Sequence, residues 1–365
     1  MNIAEIIKVL ENIAPPVLQE DYDNAGLITG KSDWPCTGVA CALDATEAIV
    51  EEAKALNCNL IVAHHPIIFR GLKKITGKNY VEQTIINAIK NDIAIYAIHT
   101  NLDNVIQGVN NKIADKLNLQ HRQILLPKKS MLMKLYTFVP VDHLEKVLDA
   151  MFNAGAGSIG NYSECSFNAE GKGTFKAGEN TNPFVGEQHT RHEEAEVKAE
   201  VIFPFYLKNK ILDALMQAHP YEEVAYDIVA LSNDYNSVGS GLLGELPRAL
   251  EELEFLGLLK KIFNLSVIRH TGLLQKPVKK IAVCGGAGSF LIEKALAANA
   301  DFYITADVKY HEFFDANGRL VIADVGHWES EQFTIDLLYD VLQAKFPNFA
   351  VLKTKNRTNP VYYFV

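Results

Sequence analysis

The chain has 365 residues, 48% of them hydrophobic and 22% charged, with a formal net charge of −9. That is a globular composition with room for two or three domains, and its acidic balance argues against nucleic acid as a partner. No apolar run approaches the roughly 20 residues of a membrane span. The five cysteines include no Cys-x-x-Cys pair, so a reducing cytoplasm is expected, with neither a disulfide framework nor a thiolate metal site.

Residues Met1–Ile7 open as an amphipathic helix and lack the cationic start of a secretory signal. A strand at 39–43 leads to a helix at 46–56. The apolar run Leu60–Ala63 reads as a buried strand that Pro66 prevents from continuing. A helix at 81–90 and a strand at 93–98 complete an α/β alternation over 1–128. From 129 to 233 the texture changes. A strand at 132–139, a helix at 141–153, two strand-like runs, a helix at 207–218 and a strand at 224–231 spell a small βαββαβ unit. The polar stretch Asn168–Arg191 reads as a mobile loop. Residues 234–365 return to α/β, with strands at 280–284, 302–305 and 319–325 and helices at 289–298 and 329–343. The simplest account is a two-lobed α/β domain with a smaller domain inserted between the lobes.

Three segments share one form, an apolar strand followed at once by ligand-type residues. The first gives His64 and His65. Neighbours on a regular strand face opposite ways, so the pair needs one metal each or a break at His65. The second is His99-Thr100-Asn101-Leu102-Asp103. In the third, Gly326-His327-Trp328-Glu329-Ser330-Glu331, His327 and Glu331 are four apart at a helix start and share a face. Together His64, His65, Asp103, His327 and Glu331 exceed what one tetrahedral zinc takes. They suit two divalent ions bridged by carboxylate or hydroxide. Nitrogen and oxygen donors fit zinc, placed first, and also manganese, iron or cobalt.

Other readings stay open. Glu329 and Glu331 also suit the positive end of a helix dipole, and His99 ranks below Asp103 as a ligand, being equally suited to orienting a ligand or capping a helix. His311, Glu329 and His99 are the candidates for proton transfer. Lys309 and Arg70 are either phosphate contacts or plain surface cations. Gly285–Ser289 follows a strand and opens a helix, so it either cradles an anion or is only a tight turn. Gly239-Ser240-Gly241-Leu242-Leu243-Gly244 matches a dinucleotide pattern literally. It lacks the acidic residue and the strand–turn–helix setting that pattern needs.

Five pieces occur in a recognisable order: Tyr22-Asp23-Asn24-Ala25-Gly26-Leu27, Ala63-His64-His65-Pro66, His99-Thr100-Asn101-Leu102-Asp103, Asp307-Val308-Lys309-Tyr310-His311-Glu312 and Gly326-His327-Trp328-Glu329-Ser330-Glu331. In these the chain resembles the NIF-three-like family, also called the GTP cyclohydrolase I type 2 homologues. The resemblance implies a dinuclear metal site on His64, His65, Asp103, His327 and Glu331, and a toroidal homohexamer whose sites face an internal cavity. The segment His219-Pro220-Tyr221-Glu222-Glu223-Val224-Ala225-Tyr226 is similar to the insert of longer members, which looks like the ferredoxin-like PII and CutA proteins. One departure is Leu242, standing where the family often carries an arginine, which puts any phosphate contact there in doubt. The expected function is metal-dependent hydrolysis of a nucleotide-like small molecule. The alternative is a metal-holding scaffold or regulatory protein whose insert binds a metabolite or a protein partner.

Overall fold

The computed structural model describes residues 1–364. The chain divides into two compact units, one of Met1–Pro127 with Ser237–Val365 and one of Lys128–Asn236. Among the described residues no helix is long and apolar enough to cross a membrane.

The first unit is mixed α/β and holds two sheets. In one, the strands run Gly26–Thr29, Ala94–Ala97, Leu60–His65, Val39–Asp44 and Val351–Lys353 across the sheet. All pairings are parallel except that of Gly26–Thr29 with Ala94–Ala97. The central strands are buried nearly throughout, so they read as continuous apolar runs rather than alternations. The other sheet runs Arg269–His270, Val321–Asp324, Phe302–Ala306, Val278–Ala287, Asp234–Leu250 and Gln120–Lys129. The two lobes therefore exchange strands. Residues 120–129 leave the first half for the second sheet, and 351–353 return from the C-terminus to the first. Helices close the faces. One is Ile3–Ile13, started by Asn2, whose side chain and that of Glu5 cap each other's backbone.

Helical positions 289–298 and 329–343 are interrupted. The first splits into a 3-10 turn at Ser289–Leu291 and a helix at Ile292–Ala297, the second into His327–Glu331 and Thr334–Lys345. Asp234–Leu250 is a 17-residue strand. The glycine pattern 239–244 lies inside it, with Leu242 buried and paired to Val283. That is a sheet interior and not a phosphate-binding turn.

The second unit has strand–helix–strand–strand–helix–strand order: Leu132–Pro140, Leu144–Asn153, Ser166–Lys176, Arg191–Pro204, Lys208–Ala218 and Tyr226–Ala230. The sheet is antiparallel, ordered 166–176, 191–204, 132–140, 226–230. Its core is built from Leu135, Val139, Val147, Met151, Ala199, Phe203, Ile211 and Leu215. The expectation of a loop over 168–191 holds only for its second part. Residues 166–176 form an edge strand exposed on both faces, so no alternation marks it.

Candidate metal centre

Both sheets of the first unit send the carboxyl ends of parallel strands to one place, where open α/β proteins build their sites. From the first sheet come Asp44, His64 and His65 at strand ends, and His99 just past Ala97. From the second come Asp307 after Phe302–Ala306 and His327 after Val321–Asp324. The strand continues through His65, which pairs with Asp44; the two rings nevertheless stay close, with centroids 4.9 Å apart, and together with His99 they form one of three groups that could hold an ion. His64 joins Asp103 and Glu331; His65 joins His327 and Glu331. The short helix Thr100–Asp103 is anchored by Asn101, which accepts from the His99 amide and donates to the Ala14 carbonyl.

Glu331 is the shared member. Its Oε2 lies 2.9 Å from His65 Nε2 and 3.1 Å from His327 Nε2, and the two nitrogens are 3.3 Å apart. Donors about 2.0–2.2 Å from one tetrahedral ion sit at comparable mutual separations. The other oxygen, Oε1, lies 3.8 Å from His64 Nε2, which is 3.6 Å from Asp103 Oδ1. His64 Nε2, Asp103 Oδ1 and Glu331 Oε2 are buried without a well-aligned hydrogen-bond partner. Buried polar atoms left in that condition are costly. Three of them aimed into one volume fit divalent cations.

The outer nitrogens are all committed. His65 Nδ1 is 2.7 Å from Asp44, His327 Nδ1 is 2.6 Å from Asp307, and His99 Nδ1 is 2.7 Å from Asp23. His64 Nδ1 faces the Ile98 carbonyl at 2.9 Å. Such partners fix the proton on Nδ1 and turn the Nε2 lone pair inward, as metal-ligating histidines require. Asp44 in turn accepts from the Thr358 hydroxyl, and Thr358 accepts from Trp328 Nε1 at 3.2 Å. The C-terminal segment thus ties the strand bearing His65 to the helix bearing His327.

The cluster stores protons when no cation is present. Burial opposes charge on His65, but the hydrogen bond to Asp44 and the neighbouring Glu331 carboxylate overcome it and push the ring up to about 10. His327 is likewise opposed by burial and carried to about 11 by Asp307 and Glu331. Burial and the charge of Glu331 raise Asp103 well above the carboxylate range. Burial disfavours ionised Glu331, yet the three histidine rings around it hold it well below that range. His64, fully buried, is shifted down and stays neutral. Asp23, despite burial, is held at about 2 by His99 and Thr100.

The structure thus brings His64, His65, Asp103, His327 and Glu331 together, and sets His99 against them with ring centroids 5.2 Å from His64 and 5.4 Å from His65. Glu329 does not join. Two residues before Glu331 is the opposite helix face, and there Glu329 is buried, accepting from Asn359 at 2.7 Å. His311 is exposed on the 3-10 turn Tyr310–Ala316, its ring against Tyr310 and Phe314. Arg70 and Lys309 are exposed. Residues 285–287, expected as a turn, belong to the strand Val278–Ala287 and do not present their first amides to an anion. Gly285 N–H donates to Asn110 and Gly286 N–H to Ser330. Gly286 has φ +65°, and a Cβ there would collide with Glu331 Oε1. That glycine exists to let the shared carboxylate in. Sequence reasoning missed the orienting carboxylates Asp44, Asp307 and Asp23, although the last two lie inside motifs it singled out.

A family model, Duf34/NIF3 (NGG1p interacting factor 3), matches residues 1–360. A protein called GTP cyclohydrolase 1 type 2 homolog from Halalkalibacterium halodurans is 42% identical over 324 residues, covering 88% of this chain and 87% of that one. A Bacillus subtilis protein of the same name is 37% identical over 330 residues, covering 90% and 88%. The crystal structure of a Bacillus cereus protein related to NIF3 superposes with a TM-score of 0.88 at 38% identity, covering 100% of this chain and 99% of that one. Motifs, fold and relatives agree, and the chain belongs to the Duf34/NIF3 family.

Proposed function

We propose that the protein holds two divalent cations and hydrolyses a nucleotide-like small molecule. The observation that carries this reading is Glu331, with one oxygen toward His64 and the other toward His65 and His327. Such a pair, zinc first and manganese, iron or cobalt after it, would lower the pKa of water toward neutrality and stabilise charge developing on the substrate. The protein's own part is to orient and to admit. Asp44, Asp307 and the Ile98 carbonyl fix the three ring orientations. His64 and Glu331 are sealed from solvent, while the His327 and Asp103 side chains keep 40% and 24% of their surface exposed, so substrate enters on their side. His99, with Nδ1 bound to Asp23, keeps Nε2 to take up and return a proton. His311 and Glu329 are not assigned this role, for the placements given above.

The name borne by the relatives makes GTP the first substrate to try, the purine C8 leaving as formate. Metal-loaded wild type and His65→Ala are incubated with GTP and formate is measured. Turnover in the wild type alone supports a cyclohydrolase. Equal formate from both removes that version, and a screen of phosphoesters and cyclic amides with the same pair then decides whether hydrolysis stands at all.

The Lys128–Asn236 unit is proposed to be a ferredoxin-like domain of the PII and CutA kind, supported by its element order and antiparallel sheet. A regulatory role for it, binding a metabolite or a protein partner, is the second reading. A toroidal hexamer is proposed from the family resemblance. A reducing cytoplasm is proposed from the scattered, odd-numbered cysteines of the sequence.

A further inference from the structure

The Lys128–Asn236 unit contains a cavity of about 730 Å³ that the metal chemistry does not use. Its size is that of a small-molecule site. One wall is aromatic: Phe138 lines it, and Tyr221 stands between Phe175 and Phe184, with centroids 6.1 and 6.2 Å away. Glu222 accepts from the Asn182 backbone N–H, beside Thr181, Pro183 and Phe184 of the lining.

Glu196 lines the same cavity and is only 8% exposed. Its Oε1 accepts from the Tyr221 hydroxyl at 2.9 Å. Its Oε2 lies against Gly173, where a Cβ would collide with it, so the bare backbone there leaves room for the carboxylate. Among the described residues no cation forms an ion pair with it, although three lysines line the cavity, Lys176 among them on the exposed edge strand. Lys172 is bound to Glu193 at 2.6 Å, and Lys198 to Glu200 at 2.9 Å. A buried carboxylate is ordinarily matched by a positive charge. Among the described residues no group of clustered metal-ligating side chains includes Glu196, whereas an ammonium group suits both a carboxylate and aromatic faces.

We propose that this cavity binds a small organic amine in its protonated form. The ammonium sits on Glu196 and the apolar body lies against Phe138, Phe175, Phe184 and Tyr221. This rests on the second reading above, that the inserted unit binds a ligand, and is independent of the metal centre.

The test is calorimetric titration of the full-length protein with 2-phenylethylamine and with its neutral counterpart 2-phenylethanol. The expected result is saturable binding of the amine, with the alcohol at least about tenfold weaker, the ratio a charge-assisted hydrogen bond provides. Glu196→Gln abolishes that preference while the variant still unfolds cooperatively, and Tyr221→Phe reduces it. If amine and alcohol bind equally, or Glu196→Gln leaves the preference intact, the amine assignment is overturned while a ligand-binding insert survives. If neither compound binds, the amine assignment falls; if Glu196→Gln also changes the oligomeric mass, a basic side chain of a second copy occupies the carboxylate. Both the proposal and the reading beneath it then fall.

Discussion

Asp44→Asn tests how the centre is held without touching a proposed ligand. Asp44 Oδ1 orients His65 at 2.7 Å, and its other oxygen accepts from Thr358. Asparagine keeps the shape but removes the charge that anchors the Nδ1 proton and strengthens Nε2 as a donor. Losing such a partner costs about 10–100-fold in metal affinity, or about 1.4–2.8 kcal/mol. The loss should fall on one site only. His64 is oriented by a backbone carbonyl, which the substitution leaves in place, so the His64–Asp103 side keeps its affinity. Thr358→Val, one step further out, removes a single hydrogen bond and costs about tenfold or less. Competition with a chromophoric chelator, fitted to two sites, measures all three proteins. A uniform fall at both sites, or none at either, would refute the reasoning that His64 and His65 serve different ions.

Three further outcomes follow from the same geometry. Metal loading near pH 7 should release at least two protons, because neutral rings are needed where His65 and His327 sit near 10 and 11 when metal-free, and any proton held by Asp103, raised well above the carboxylate range, adds to them; affinity therefore rises with pH, and titration in buffers of different ionisation enthalpy counts the protons. Gly286→Ala should cost about 1–2 kcal/mol in urea unfolding from its left-handed backbone alone, and should also weaken metal binding by displacing Glu331. Glu82 accepts from the Thr76 and Lys78 amides and the Thr76 hydroxyl, contacts that hold it at about 2. Its contribution is complete above the ordinary glutamate range near 4.5 and is lost as pH falls toward 2. Acid-induced unfolding of Glu82→Gln should accordingly differ from wild type less at pH 3 than at pH 6.

The sequence carries the centre unevenly, for physical reasons. His64 and His65 are conspicuous because an apolar run ends on them, and His327 with Glu331 because four residues make one helical turn. Glu329 looked equally suitable by type, and only the helix phase turns it away. Asp44 gives no local signal, since its partner is 21 residues distant and meets it through the pairing of two parallel strands. His311 sits in a motif whose residue beside the cluster is instead Asp307, 2.6 Å from His327. In the fold, the buried strands 39–44 and 60–65 declare themselves by continuous apolar residues. The strand 234–250 hides behind its glycines, and 166–176 behind a surface exposed on both faces. The exchange of strands 120–129 and 351–353 between lobes arises only once both sheets exist.

The most direct measurement is the metal content per chain of purified, metal-loaded protein, taken by elemental analysis for wild type and Glu331→Gln. A carboxylate serving both ions predicts two equivalents in the wild type and the loss of both in the variant. A wild type holding one equivalent or none, or a Glu331→Gln protein that keeps two, would contradict the dinuclear centre.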